Sequence, residues 1–212
     1  MLYLKSFCFN PFQQNTYLIF NDEGNALIID PGNSNSSENN VLKQFIEEKQ
    51  LKPIRLLLTH AHIDHVLGNK FVFDTYGLLP EVHKEDLFFI DRMKETAAMY
   101  GVTCDESPKP ENFIEANQKF LLGNYLFETL YTPGHSPGSV SFYNKENKLL
   151  LSGDVLFQNS IGRTDLPGGN HETLLKSIRE KLFVLDDDVK VYSGHGPYTT
   201  IGHEKRNNPF LI

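Results

Sequence analysis

Between Thr59 and His65 the chain reads Thr-His-Ala-His-Ile-Asp-His, which sets three imidazoles and a carboxylate within six residues. These side chains suit Zn(II), Fe(II) and Mn(II), with neutral imidazole the commonest protein ligand. The chemistry on offer is that of a bound cation, which polarises a substrate and activates water. Three further groups share the style. His135 lies in Thr132-Pro133-Gly134-His135-Ser136-Pro137-Gly138, Asp154 in Ser152-Gly153-Asp154, and His195 in Ser193-Gly194-His195-Gly196-Pro197. Each alone is an ordinary turn residue beside Gly or Pro. Four polar strand ends, all able to converge at one edge of a sandwich, point instead to a site.

The elements that must position them are short apolar runs. Ile54-Arg55-Leu56-Leu57-Leu58 precedes the first cluster, Leu130-Tyr131 precedes His135, Leu149-Leu150-Leu151 precedes Asp154, and Val189 to Tyr192 precedes His195. Each reads as a strand presenting ligands at its end. Leu2 to Phe7 and Asn15 to Phe20 are further strands, and Ala26 to Ile29 is a continuous apolar run of the kind buried on both faces. It stops at Asp30-Pro31-Gly32. A helix is expected from about Glu38 to Lys49, with Val41, Leu42, Phe45 and Ile46 as its apolar face. Val66, Leu67, Phe71 and Val72 keep helical spacing, and Leu78 to Val82 is a short strand. Lys84 to Tyr100 reads as one helix, although Leu87, Phe88, Ile90 and Met99 form no single stripe. Val102 to Glu111 is a loop. Gly123-Asn124 joins a hairpin, Ser139 to Tyr143 and Lys148 to Leu151 flank a polar turn, and a helix runs from about Glu172 to Leu182. Strands followed by helix-linked strands occur twice, which fits two packed sheets with helices outside, in one domain over residues 1–212.

Composition narrows the function classes. With 40% hydrophobic and 22% charged residues among 212, the chain is of the soluble globular kind. A net charge of −7 without a basic cluster argues against a nucleic-acid partner. The apolar runs are too short for a membrane span, and the start Leu2-Tyr3-Leu4-Lys5 is too short for a signal peptide. Cys8 and Cys104 are too far apart for a metal knuckle and suggest no disulfide framework, so a reducing cytoplasm is the expectation.

The combination H-x-H-x-D-H with a later lone His, Asp and His resembles the metallo-β-lactamase superfamily, from Asp30-Pro31-Gly32 to His195 and in that family's order. Within it, Ser160-Ile161-Gly162-Arg163-Thr164-Asp165-Leu166-Pro167-Gly168-Gly169 and Gly194-His195-Gly196-Pro197-Tyr198-Thr199-Thr200-Ile201-Gly202-His203-Glu204 are similar to a short bacterial branch of the glyoxalase II-like (hydroxyacylglutathione hydrolase-like) enzymes. The resemblance implies an α/β fold, an αββα sandwich of two mixed β-sheets with helices on the outer faces. It implies two divalent metal ions, zinc first, with Fe or Mn as alternatives. His60, His62 and His135 would hold one; Asp64, His65 and His195 the other; Asp154 would bridge both. A hydroxide between two cations is a nucleophile at ordinary pH, and Asp64 is placed to orient it as the catalytic carboxylate. Asp30 is either a turn-former or a hydrogen-bond partner for a ligand imidazole, and Thr59 could play either part. Arg163 falls where the look-alikes place a cation for the substrate's carboxylate or amide groups, and a surface role is the alternative. His83, His171 and His203 match no ligand position. No counterpart is expected of the C-terminal helical region that glyoxalase II proper uses for glutathione, which leaves the thiol carrier open.

The expected function is therefore a cytoplasmic, binuclear metal-dependent hydrolase of a small-molecule thioester such as S-lactoylglutathione. One alternative keeps the fold and uses a single iron to oxidise a persulfide; the full set of seven ligands argues for two metals. Lactone or β-lactam hydrolysis is another. A structural or regulatory metal-binding module is the non-enzymatic reading, against which stands the preference of structural zinc for closed, often Cys-rich cages.

Overall fold

The computed structural model describes residues 1–211; Ile212 lies outside the described residues. The chain divides into two compact units, Met1–Phe113 with Leu122–Asn124, and Ile114–Leu121 with the chain from Tyr125 onward.

The first unit carries strands β1 (Leu2–Phe9), β2 (Gln14–Asn21), β3 (Asn25–Ile29), β4 (Lys52–Leu57) and β5 (Pro80–Glu81), hydrogen-bonded in that order. β1, β2 and β3 form an antiparallel meander, whereas β3–β4 and β4–β5 are parallel. Parallel neighbours need a crossover. Helix α1 (Ser36–Glu48) supplies the first, and α2 (Ile63–Val66) with α3 (Asn69–Tyr76) the second. Asn35 starts α1 by accepting the Glu38 N–H, as an N-cap should. Leu18, Ile28 and Leu56 stand opposite one another across three strands, and this row packs with Leu42 and Ile46 of α1 and Val72 of α3. Ile19, Leu27, Ile29 and Leu57 on the other face are buried too, as the continuous apolar run predicts.

The helix expected from Lys84 to Tyr100 is instead three pieces: a 3-10 turn at Lys84–Asp86, α4 (Leu87–Asp91) and α5 (Met93–Met99). Asp86 and Arg92 leave helical geometry at φ −100, ψ 1 and φ −104, ψ 11. At Asp86 the reason is tertiary, because its carboxylate turns fully inward onto the N–H of Ala61. The strand expected over Leu78 to Val82 shortens to two residues.

The second unit holds β6 (Lys119–Leu122), β7 (Tyr125–Tyr131), β8 (Val140–Asn144) and β9 (Leu149–Gly153), then the small hairpin β10 (Leu156–Phe157) and β11 (Ser160–Ile161), with β12 (Lys190–Ser193) and β13 (Thr199–Thr200). Its main sheet runs β13-β12-β9-β8-β7-β6. β7, β8 and β9 are antiparallel, β9 and β12 parallel, β12 and β13 antiparallel. α6 (His171–Ser177) is shorter than expected, because its last turn widens into a π-turn at Ile178–Leu182, with Phe183 N–H on the Ile178 carbonyl at 2.8 Å. α7 (Ile201–Asn207) had no strong apolar period to announce it. Leu174, Ile178, Leu182 and Ile201 cover Leu150 and Val191 of the sheet. Each unit is thus a mixed sheet with helices against a face. Among the described residues no helix is long and apolar enough to cross a membrane.

Candidate metal centre

Parallel strands end at the same edge, and both clusters exploit this. In the first unit Ile29 of β3 is level with Leu57 of β4, so the next residues, Asp30 and Leu58-Thr59, emerge side by side. Asp30 sits at φ 51, in the left-handed region, where Asp is among the few tolerated side chains. The turn points its buried carboxylate at the ligand loop. Oδ1 accepts the Thr59 N–H at 2.7 Å and Oδ2 the Thr59 hydroxyl at 2.6 Å. Oδ2 also lies 3.0 Å from Nδ1 of His65.

The four predicted ligands of this unit come together. His60 and His62 have ring centroids 4.7 Å apart, and His60 and His65 4.0 Å. Asp64 Oδ2 is 3.6 Å from His65 Nε2. The tautomers follow from the partners. The Thr59 hydroxyl donates to Asp30, so its oxygen is left to accept from His60 Nδ1 at 3.1 Å. His65 Nδ1 donates to Asp30. A ring protonated at Nδ1 offers Nε2 as its ligating atom, the usual arrangement of metal-bound histidine. Asp30 and Thr59 therefore do what a hydrogen-bonded support of ligand imidazoles requires.

In the second unit β9 and β12 are the parallel pair. Gly153 is level with Ser193, and Gly194 N–H bonds the Gly153 carbonyl at 2.9 Å, which brings Asp154 beside His195. β7 runs in the same direction as β9, since both are antiparallel to β8, so His135 emerges at that edge as well. One oxygen, Asp154 Oδ2, stands 3.6 Å from His135 Nε2 and 3.5 Å from His195 Nε2. Hydrogen bonds are shorter. Two donors on one tetrahedral metal with bonds of about 2.1 Å lie about 3.4 Å apart, so these spacings, like that of Asp64 and His65, fit ligands of a shared cation. His135 Nδ1 lies 2.8 Å from the main-chain carbonyl of Arg163, which can only accept, and this again leaves Nε2 as the ligating atom. The donor sets of both units, imidazole Nε2 and carboxylate oxygen with the opposite ring nitrogen anchored, fit divalent metal ions.

Arg163 is placed differently from a free guanidinium. Its side chain makes a bidentate pair with Asp165, at 2.7 Å from both Nε and Nη2, and the guanidinium holds the Asp165 carboxyl down at about 2. Of the other histidines, His83 is buried and caps the 3-10 turn, His171 begins α6, and His203 bonds Asn159 at 2.8 Å.

Several supports escaped sequence reasoning. Gln14 and Thr16 of β2 donate to the Asp30 carbonyl at 3.1 and 2.9 Å. Asn10 donates to the carbonyls of Gly32 and Asp64, both at 2.9 Å. Asp86 takes the Ala61 N–H. Their one signal is polarity in otherwise apolar or helical surroundings, which names no partner.

Residues 9–195 match the metallo-beta-lactamase superfamily. The chain is 45% identical over 206 residues to hydroxyacylglutathione hydrolase GloC of Haemophilus influenzae, which covers 94% of this chain and 93% of that protein. Among solved structures, the BLEG-1 B3 metallo-beta-lactamase superposes with a TM-score of 0.91 at 38% identity, over 99% of this chain and all of that one (100%). TTHA1623, solved in a di-iron-bound form, gives 0.89 at 37% identity, over 98% and 100%. The two mixed sheets and their helices are the fold these proteins share.

Proposed function

The chain belongs to the metallo-beta-lactamase superfamily as a metallo-hydrolase, and we propose that it hydrolyses thioesters of the hydroxyacylglutathione type at a binuclear centre. The observation that carries the metal chemistry is the trio of imidazoles anchored at Nδ1 together with carboxylate oxygens 3.5–3.6 Å from imidazole Nε2. The relative from Haemophilus influenzae supports the substrate class.

In this reading His60, His62 and His135 would hold one divalent ion and Asp64, His65 and His195 the other, with Asp154 available to both, in a single domain. When bound, such a pair supplies a hydroxide nucleophile at neutral pH and a Lewis acid for the thioester carbonyl. The chain's own residues do the rest. Asp64 accepts a hydrogen bond from the nucleophile and aims it. Asp30, Thr59 and the Arg163 carbonyl hold three rings in the ligating tautomer. The Arg163 guanidinium takes a substrate carboxylate in exchange for Asp165. Zinc is the first candidate; these donors also accept iron and manganese, and the di-iron form of TTHA1623 makes iron a direct competitor. The proposed location is the cytoplasm.

A second reading, β-lactam hydrolysis, is favoured by the likeness to the BLEG-1 enzyme. The test is metal analysis of the purified protein beside hydrolysis of S-lactoylglutathione and of a chromogenic β-lactam. Two equivalents of metal and thioester turnover, both lost in His62→Ala and Asp154→Ala, are expected. Turnover of the β-lactam alone would replace the reading, as would one iron with oxygen uptake on a persulfide. Wild-type rates from either variant would refute the site.

A further inference from the structure

Side chains two residues apart point the same way only where the backbone between them is extended. His62 is extended, at φ −64, ψ 153, and its ring lies 4.7 Å from that of His60. In a sheet, a neighbouring strand would take the N–H groups of such a segment. Here the N–H of Thr59 goes to Asp30 Oδ1 at 2.7 Å, and that of Ala61 to Asp86 Oδ2 at 3.0 Å. Both carboxylates are buried, at 1% and 0% exposure, which is costly for an anion unless its hydrogen bonds serve the structure. They come from different elements and replace a strand partner at alternate residues. Asp86 also begins the short segment whose Phe89, three residues on, sets its ring edge against His62 at 4.6 Å and 80°. A single turn of chain therefore touches both Ala61 and His62.

We propose that Asp86 is a positioning residue for the metal-binding reaction of this loop: its carboxylate holds the Ala61 N–H and so keeps His60 and His62 turned towards one cation. The proposal rests on the binuclear reading above. Asp30 does the same for the start of the loop and additionally fixes a tautomer, whereas the contact of Asp86 with Ala61 is to the main chain. An acceptor of the same shape should therefore replace it.

The test is titration of the metal-free protein with Co(II), followed by its visible absorption and by calorimetry, with thermal unfolding of each metal-free variant. Asp86→Ala should bind one of the two ions roughly 10–100-fold more weakly, the range for supports of metal ligands, and the other within a few-fold of wild type. Asp86→Asn, whose amide oxygen still accepts, should restore the affinity. Ala61→Pro removes the same N–H from the other side and should reproduce the loss; it decides the matter if Asp86→Ala does not fold. A folded Asp86→Ala or Ala61→Pro protein that binds both ions as wild type overturns the proposal, and so does equal weakening of both ions. A wild type that takes up no second ion overturns this inference and the binuclear reading together. Two ions with the Asp86 effect but no thioester turnover would overturn the substrate assignment alone.

Discussion

The main-chain carbonyl of Arg163 accepts a hydrogen bond from Nδ1 of His135 at 2.8 Å, while the guanidinium of the same residue is held by Asp165. In the proposed reading one residue thus supports His135 through its backbone and offers a cation through its side chain. The two roles separate by mutation. Arg163→Ala keeps the carbonyl and should retain wild-type metal content, while KM for a carboxylate-bearing thioester rises about 10-fold, the loss of one charge-assisted contact. Metal loss from Arg163→Ala would show that the side chain, not the carbonyl, supports His135.

Asp165 competes for that guanidinium. Its carboxyl is lowered to about 2, chiefly by the hydrogen bond from Arg163. A depressed carboxyl keeps its pairing above its ordinary value and loses it only as pH falls towards about 2, so the pair is constant between pH 5 and 8. Asp165→Asn should therefore lower KM for anionic thioesters by a factor that does not change across that range. A factor that varies with pH would assign the titration to another group.

Asp30 accepts three hydrogen bonds in a buried site. Asp30→Ala strands the Thr59 N–H and hydroxyl and frees His65 to choose its tautomer. A loss of about 3 kcal/mol in urea unfolding of the metal-free protein is expected, together with roughly 10–100-fold weaker metal binding. Unchanged metal affinity in a destabilised protein would reduce Asp30 to a turn-former.

Gly162 lets the loop that carries Arg163 pass Asp154. A Cβ there would stand 1.9 Å from the Asp154 carbonyl oxygen and 3.2 Å from His135 Cβ. Gly162→Ala must therefore displace the backbone of Asp154, and activity and metal content should fall together while far-UV circular dichroism stays native. Full activity would show that the loop can yield without moving Asp154.

Glu204 is fully buried and accepts from Thr199 Oγ1, the Asn159 N–H and Asn208 Nδ2. Two of the three, the Asn159 N–H and the Asn208 amide NH2, can only donate, so Glu204→Leu leaves them facing a side chain with no acceptor. A destabilisation of about 2 kcal/mol is expected by denaturant titration. Wild-type stability would mean that the hub can reorganise without the carboxylate.

The sequence by itself determined the candidate ligand segments and the strands before them. A strand announces itself by an apolar run, and a metal ligand must be one of few residue types, so Ile54 to Leu58 followed by His60, His62, Asp64 and His65 is legible without coordinates. His135, Asp154 and His195 were legible for the same reason. The tertiary structure decided what holds them. The Arg163 carbonyl has no residue type to betray it, and Gln14, Asn10 and Asp86 are common polar residues whose partners lie 16 to 54 positions away in the chain. It also broke the helix expected over Lys84 to Tyr100, because a buried carboxylate at Asp86 answers to the Ala61 N–H rather than to local helical propensity. Local pattern selects the atoms that can bind a metal; only the parallel pairing of β3 with β4 and of β9 with β12 sets their anchors beside them.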